Sequence, residues 1–236
     1  MTGTDIRAIL FDVDDTLFDR LAAQTLILKT IVDTYPYLFG NIAWDNLVTA
    51  FFESDRLVEL DFEAGAPSDN LRKDRSRLFL HQLGLPADYA DAITETYVSD
   101  YPGVNAPVAG APELIQALAD TYIIGIISNG LPDVQYRKLE TIGIRDYCSC
   151  IVLSEEIGIR KPDPRIFRHA ASLLGIEPGH CLYVGNSYRA DVFGAKAAGM
   201  AAGWLRRGAA LPENADVLPD FSIDELHELP SLLNDR

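Results

Sequence analysis

The sequence predicts an α/β protein: a doubly wound parallel sheet with an inserted all-helical cap domain. The chain opens with a short apolar run, Ala8 to Phe11, which has the length and character of a buried central strand. Helical patterns without a convincing strand follow, from residue 18 to residue 105. From Val108 onwards, strand-length apolar runs alternate with helix-length segments, which is typical of parallel sheets with right-handed crossovers.

These patterns place an α/β core domain in residues 1–17 and 106–236 and a helical cap domain in residues 18–105. One cap helix is expected to begin at an N-cap, Ser68, and the cap would lie over one edge of the sheet as a lid. Four further strands are predicted in the core: Tyr122–Ile127, Cys150–Leu153, Leu182–Val184 and Ala201–Leu205. Helices are expected in the segments that connect these strands.

Helix ends in the core carry recognisable capping residues. Asp163 followed by Pro164 predicts a helix start, and Gly175 predicts the end of the same helix. Ser222 and Glu225 are interpreted as a capping box that opens a final helix.

Composition excludes several classes of partner. The 236 residues carry a formal net charge of -15, which argues against nucleic acid and anionic membranes. The most apolar segment, Tyr122 to Ile127, is too short to span a bilayer, and the N-terminus lacks the layout of a signal peptide. The 3 cysteines lack metal-ligand spacing and are interpreted as small buried residues. We expect a cytoplasmic protein, either a monomer or a homodimer.

An acidic cluster follows the first strand directly. Asp12, Asp14 and Asp15 stand within four positions of one another, and clustered carboxylates repel each other and resist leaving water. One interpretation is a site in which Asp12 acts as a nucleophile or metal ligand and Asp14 exchanges protons. The alternative is a solvated acidic turn, because aspartates are common in turns.

Four polar turns are expected at one edge of the sheet. They are Asp12–Thr16, Ser128–Asn129, the loop that carries Lys161, and Asn186–Asp191. Ligands of doubly wound sheets bind at the carboxyl ends of the strands, where the strand order reverses. The four turns should therefore converge.

The same segments resemble the four motifs of the haloacid dehalogenase (HAD) superfamily. Asp12–Thr16 is similar to DxDxT, Ser128–Gly130 to the second motif, Lys161–Pro164 to KPDP, and Gly185–Asp191 to GDxxxxD. The helical insertion stands where many members carry their cap, so the resemblance covers nearly the whole chain. Asn186 departs from the pattern, because the family usually has an acid there.

The resemblance implies a Mg²⁺-dependent phosphomonoester hydrolase that forms an aspartyl-phosphate. The implied roles are nucleophile for Asp12, proton donor and acceptor with a raised pKa for Asp14, phosphate binding for Ser128, Asn129 and Lys161, and support of the turn for Thr16. The implied metal ligands are Asp12, the main-chain carbonyl of Asp14, Asn186 and Asp191.

Two other functions stay open. A 2-haloacid dehalogenase attacks carbon with the same nucleophile, needs no metal and can carry asparagine near Asn186, but generally lacks an acid at the position of Asp14. A non-catalytic phosphate-binding regulatory protein is disfavoured because Asp12 and Asp14 are both intact.

Substrate class is suggested only by analogy. Ser128–Gly130, Gln135, Leu139 and Ser154–Pro162 resemble the branch of pyrimidine 5'-nucleotidases and related phosphatases, which implies a small phosphorylated metabolite as substrate. Arg20 is the preferred cap-side contact with it. The basic residues of one cap helix are instead interpreted as a solvated face; they are Arg72, Lys73, Arg75 and Arg77.

Overall fold

A computed structural model of the chain describes residues 5–63 and 70–234. The chain divides into two compact units. One consists of the segments up to Arg20 and from Asn105 onwards, and the other is the insertion Leu21–Val104. The boundaries predicted from the sequence lie after residue 17 and before residue 106.

The larger unit is built on a six-stranded sheet. The strands are β1 (Ala8–Phe11), β2 (Ile123–Ser128), β3 (Cys148–Leu153), β4 (Cys181–Gly185), β5 (Ala201–Leu205) and β6 (Phe221–Ile223). All neighbouring strands are parallel, and their order is β3-β2-β1-β4-β5-β6. The strand order therefore reverses between β1 and β4, which confirms the predicted doubly wound sheet.

Helices connect these strands and form the smaller unit. In chain order they are α1 (Arg20–Thr34), α2 (Pro36–Phe39), α3 (Trp44–Glu63), α4 (Leu71–Gln82), α5 (Ala90–Asp100), α6 (Ala111–Ala119), α7 (Pro132–Thr141), α8 (Ser154–Ile157), α9 (Pro164–Leu174), α10 (Gly194–Ala198) and α11 (Leu229–Asn234). None of the helices in the described ranges has the length and apolar character needed to cross a bilayer.

The central strands β1 and β4 are buried along their full length, which explains their uninterrupted apolar sequences. Side chains from β4, α9 and α10 pack into one apolar cluster, with Tyr183 and Phe167 in edge-to-face contact at 4.9 Å between ring centroids. This packing fixes the ends of the strands that carry the polar turns.

The C-terminal part of the core differs from the sequence prediction. Ser222 does not open a helix but lies in β6, opposite Trp204 of β5. The capping box is formed instead by Glu225 and Glu228, and the Glu228 carboxylate accepts a hydrogen bond from the Glu225 amide at 2.8 Å. The prediction was wrong because a strand of 3 residues is too short to give a clear period-2 pattern.

The segment after β4 also departs from a regular helix. Tyr188–Phe193 is a π-helical turn, and α10 begins only after it, whereas an ordinary helix was expected in the segment between β4 and β5. Single π-helical turns occur frequently at functional sites. This one carries Asp191.

The smaller unit has a core of aromatic side chains. Phe51 of α3 and Phe79 of α4 meet edge to face at 5.5 Å between ring centroids. Arg75, which was interpreted as part of a solvated face, is buried, and its guanidinium lies 3.3 Å from the centre of the Tyr97 ring. The predicted N-cap Ser68 lies outside the described residues.

Candidate active site

A tight turn follows β1 and carries the acidic cluster. The Val13 carbonyl accepts hydrogen bonds from the amides of Thr16, Leu17 and Phe18 at 3.2, 2.9 and 2.9 Å. Asp15 adopts a left-handed backbone with φ 56°, which aspartate tolerates better than most residues. The turn therefore holds the acids at the carboxyl edge of the sheet.

Asp12 and Asp191 share the ammonium group of Lys161. Lys161 Nζ donates to Asp12 Oδ1 at 2.6 Å and to Asp191 Oδ1 at 2.7 Å. A third bond, at 2.9 Å, runs to the hydroxyl of Tyr183, which in turn donates to the Ile127 carbonyl at 2.9 Å. The structure thus brings together three residues that are far apart in the sequence.

The buried cluster contains two carboxyl groups, of Asp12 and Asp191, and one ammonium group, of Lys161. Burial, together with the charge of Asp191, raises the pKa of Asp12 to about 7 against the opposing effect of Lys161. Burial alone would lower the pKa of Lys161, but the two carboxylates outweigh it and the pKa lies above its usual value. When both acids are ionised, the two carboxylates and the one ammonium group carry a net negative charge, which a further cation would stabilise.

Asp14 is held by two donors from α7. Its Oδ1 accepts from Lys138 Nζ at 2.5 Å and its Oδ2 accepts from Gln135 Nε2 at 2.6 Å. Burial acts to raise the pKa of Asp14, but the charges of Lys138 and Arg20 and both hydrogen bonds outweigh it, so the pKa is lowered. The raised pKa expected from the sequence is therefore wrong: the donors that surround Asp14 lower it.

No role for Lys138 was predicted from the sequence, and Gln135 was singled out only through the family resemblance. Both lie on the buried face of α7, with Leu139 beside them. A lysine on the apolar face of an otherwise ordinary amphipathic helix was the available signal. The pattern could not show which carboxylate it meets.

The turn after β2 carries the second motif. Ser128 Oγ accepts hydrogen bonds from the Gly130 amide at 3.1 Å and from Gln135 Nε2 at 3.2 Å. The Asn129 side chain makes a reciprocal pair with the main chain of Lys161, at 2.9 and 3.0 Å. Asn129 thus joins two loops of the site through its side chain, whereas sequence analysis assigned it to phosphate binding.

The fourth motif supplies Asp191 and Asn186. Asp191 Oδ2 accepts from the Ser187 amide at 2.8 Å, and Thr16 Oγ1 donates to Asn186 Oδ1 at 3.4 Å. A Cβ on Gly185 would lie 2.4 Å from Asp191 Cγ, so only glycine leaves room for this carboxylate.

The donor chemistry of the site fits Mg²⁺. Asp12 and Asp191 are buried carboxylates that already converge on one cationic group, and Mg²⁺ prefers oxygen ligands and retains several waters. Within the described residues, no group of three His, Cys, Asp or Glu side chains is arranged to hold a metal. Two carboxylates, with other oxygens of the turns and water, are a donor set that suits Mg²⁺.

Arg20, the first residue of α1, adjoins the acidic turn. Its amide donates to Asp15 Oδ1 at 3.2 Å, and its charge opposes the pKa-raising effects of burial and of Asp14 on Asp15. Its role as a substrate contact stays a prediction.

An acid pair at the switch point of a parallel sheet, with a buried lysine beside it, defines an α/β enzyme of the Rossmann type. Residues 6–199 match the model of the haloacid dehalogenase-like hydrolase family, and the chain belongs to that family. This confirms the resemblance found in the sequence.

Related proteins cover nearly the whole chain. The glyceraldehyde 3-phosphate phosphatase of Methanopyrus kandleri is 32% identical, with 95% of each chain covered. The pyrimidine 5'-nucleotidase YjjG of Escherichia coli is 29% identical, over 95% of this chain and 96% of the relative. The HAD-hydrolase YfnB of Bacillus subtilis, crystallised with magnesium, has a TM-score of 0.84 and 26% identity, over 98% of this chain and 99% of that one. A solved 2-haloacid dehalogenase also shares the fold, so the fold alone does not separate the two activities.

Proposed function

We propose that the chain is a Mg²⁺-dependent phosphomonoester hydrolase acting on a small phosphorylated metabolite. The observation that carries the proposal is the contact of Lys161 Nζ with Asp12 Oδ1 at 2.6 Å, with a second acid, Asp14, two residues further on. A phosphate ester repels an anionic nucleophile unless positive charge stands beside both. Lys161 supplies that charge at the nucleophile itself.

The proposed reaction has two displacement steps. In the first, a carboxylate oxygen of Asp12 bonds to phosphorus while the bond to the alcohol oxygen breaks, and Asp14 gives that oxygen a proton. In the second, a water molecule gives a proton to Asp14 and bonds to phosphorus, while the bond from phosphorus to Asp12 breaks. Phosphate and alcohol leave, and Asp12 returns as a carboxylate.

Asp14 must take up a proton before the first step, because the charges of Lys138 and Arg20 and its two hydrogen bonds lower its pKa. The phosphate group brings negative charge close to Asp14, and a neighbouring negative charge favours the protonated form of a carboxyl group. The monoanionic form of the ester carries a proton that Asp14 can accept. Binding of substrate would thus prepare the proton donor.

The other site residues would hold the phosphate and the metal. Lys161, the Ser128 hydroxyl and the main-chain amide of Asn129 would bind phosphoryl oxygens. The metal would be held by four groups that the turns provide: Asp12, the main-chain carbonyl of Asp14, Asn186 and Asp191. Bound there, Mg²⁺ would supply positive charge against the phosphoryl oxygens. Thr16 would fix the Asn186 side chain.

Dehalogenation is the second candidate, and the surroundings of Asp14 count against it. Cleavage of a carbon–halogen bond produces a halide, which needs no proton, so a second acid has no task. Yet Lys138 and Gln135 bind both oxygens of Asp14. The names of two relatives, a glyceraldehyde 3-phosphate phosphatase and a pyrimidine 5'-nucleotidase, also support phosphate ester hydrolysis. Their substrates differ in size, so we propose only the class, with Arg20 as a contact to it.

The test is hydrolysis of p-nitrophenyl phosphate and of a panel of phosphorylated metabolites, with Mg²⁺ and with excess chelator. We expect activity only with Mg²⁺ and no activity in Asp12→Asn. In Asp14→Asn, kcat/KM should fall about 100-fold or more for the alkyl phosphates of the panel. Asp216→Asn, which alters an exposed acid of the same unit, is the control and should behave as the unchanged chain.

Two results would contradict the proposal. Equal activity in excess chelator would remove the metal from the mechanism. Halide release from 2-chloropropionate, without hydrolysis of any phosphate ester, would establish the dehalogenase instead.

A further inference from the structure

Two donors of α7 bind both carboxylate oxygens of Asp14. Lys138 reaches Oδ1 at 2.5 Å and Gln135 reaches Oδ2 at 2.6 Å. The Lys138 side chain is 3% exposed and Gln135 is 1% exposed, whereas the Asp14 side chain is 26% exposed. The donors are therefore rigidly packed, while the carboxylate that they hold is still accessible. With both oxygens engaged, rotation about the bond that carries the carboxylate would break a hydrogen bond.

The position of Lys138 is unfavourable in isolation. A buried ammonium group loses its hydration and is tolerated only where it is paired and well packed. Here it is paired with Asp14 and lies 4.6 Å from the centre of the Phe18 ring. Contacts around the acidic turn therefore offset part of the stability lost by burying this lysine.

The Gln135 side chain binds its neighbours through its amide nitrogen, although its own amide oxygen is not hydrogen-bonded to any residue that the structure describes. Its Nε2 donates to Asp14 and to Ser128 Oγ, yet its Oε1 is buried without a hydrogen-bond partner among the described residues. An unpaired buried acceptor is destabilising. A Cβ on Gly130 would stand 1.8 Å from Gln135 Nε2, so the adjoining turn leaves space for this side chain.

We infer that Gln135 and Lys138 are positioning residues for Asp14, which fix its carboxylate in the orientation that exchanges protons in both steps. This inference rests on the proposed function. In the first step Asp14 must meet the oxygen of the leaving alcohol, and in the second it must meet the attacking water. The oxygen of the leaving alcohol and the oxygen of the attacking water occupy the same side of the phosphorus, one after the other, because the water enters where the alcohol left. One fixed orientation of Asp14 serves both steps, and a freely rotating carboxylate would serve neither well.

The first test compares substrates with different leaving groups. Hydrolysis of an alkyl phosphate needs a proton on its leaving oxygen, whereas p-nitrophenolate leaves readily without one. In Lys138→Met, which keeps the length of the side chain but removes the charge, kcat/KM should fall about 100-fold for an alkyl phosphate and less than about tenfold for p-nitrophenyl phosphate. Gln135→Leu should show the same bias to a smaller extent, and Lys138→Arg should restore part of the loss.

The control is Lys196→Met. The ammonium group of Lys196 also pairs with a partly buried acid, Asp220, at 2.9 and 3.0 Å, and Asp220 is not one of the proposed site residues. Its loss should affect both substrates equally. An equal loss on both substrates in Lys138→Met would mean that Lys138 has only a structural role and would overturn the inference.

The second test is a double-mutant cycle. If Lys138 acts through Asp14, Lys138→Met should change kcat/KM less than about twofold when Asp14→Asn is already present. A loss of the same size in both backgrounds would overturn the inference even if the variant were poorly folded. If the unchanged chain hydrolyses no phosphate ester at all, the proposed function fails, and this inference fails with it; failure of the cycle in an active enzyme leaves the proposed function standing.

Discussion

At the scale of single residues, the site is organised around one buried lysine. Lys161 is bonded to Asp12, Asp191 and Tyr183 at 2.6 to 2.9 Å. The sequence predicted that the lysine and the two acids would meet, because each follows the carboxyl end of a strand in a parallel sheet. It did not predict Tyr183, since a tyrosine inside an apolar strand is most simply interpreted as a packing residue.

Asp14 shows where residue-level prediction fails. Its pKa depends on Lys138, which is 124 positions away in sequence, and on Gln135. Helical periodicity predicts which face of α7 is buried, but it does not predict what that face meets. The direction of the pKa change was therefore wrong, although the position of the acid followed from the motif.

Gly185 gives a direct test of how closely Asp191 must be held. In Gly185→Ala the new Cβ would lie 2.4 Å from Asp191 Cγ, and Asp191 cannot move without breaking its bonds to Lys161 and the Ser187 amide. We expect a loss of about 1–3 kcal/mol in the free energy of unfolding, from urea titration, and a fall in kcat/KM of about 100-fold. Gly179→Ala is the matched control, because nothing lies within 4 Å of its added Cβ. Full activity of Gly185→Ala would show that the present position of Asp191 is not required.

At the scale of elements, strong local signals were predicted well and weak ones were missed. The start and end of α9 at Asp163 and Gly175 are confirmed, because both residues perform specific capping chemistry. The strand β6 and the π-helical turn Tyr188–Phe193 were not predicted. The strand is very short, and a single π-helical turn is too short for its periodicity to be told apart from that of an α-helix in the sequence.

The N-cap of α9 allows a prediction about stability and pH. Asp163 Oδ1 accepts from the Arg165 amide at 2.9 Å, and hydrogen bonds from the Arg165 side chain and amide lower the pKa of Asp163 to about 2. Asp163→Ala should lower Tm by about 2–4 °C at neutral pH, whereas Asp163→Asn retains an N-capping oxygen and should lower it less. Because the folded pKa is depressed, this contribution is complete above the unfolded pKa of about 3.9 and is lost as the pH falls towards 2.

The contribution of Asp163 to stability is measured by thermal unfolding of the unchanged chain, Asp163→Ala and Asp163→Asn from pH 8 to pH 3. The difference in Tm between the unchanged chain and Asp163→Ala should stay constant down to about pH 5 and shrink below about pH 4. A difference that shrinks already between pH 8 and pH 6 would mean that another titrating group controls the start of α9.

At the scale of the whole molecule, the chain is strongly acidic, whereas the site contains several basic side chains. The chain has a net charge of -15, yet Arg20, Lys138 and Lys161 adjoin its acidic turns. This arrangement suits an anionic ligand that is bound locally rather than attracted from a distance. The sequence also predicted a sheet domain and a helical domain, because the pattern of apolar residues changes near residues 18 and 105.

The connections between the two units predict that the sheet unit folds without the insertion. At the boundary the two chain segments run side by side: the Asp19 amide donates to the Ala106 carbonyl at 2.8 Å, and the Val108 amide donates to the Leu17 carbonyl at 2.9 Å. A short Gly-Ser linker from Arg20 to Asn105 can therefore replace Leu21–Val104 with little strain. We expect this shortened chain to unfold cooperatively, as followed by circular dichroism, because the whole sheet stays intact.

Activity of the shortened chain should separate chemistry from selection of substrate. Every proposed catalytic and metal-binding group lies in the retained unit, so slow Mg²⁺-dependent hydrolysis of p-nitrophenyl phosphate should persist and should disappear when Asp12→Asn is added. The ratio of kcat/KM between the best and the worst metabolite of the panel should fall, since the insertion is expected to supply contacts beyond the phosphate. An unchanged ratio would mean that the sheet unit itself determines substrate specificity. Failure of the shortened chain to fold would show that the sheet depends on the insertion for its stability.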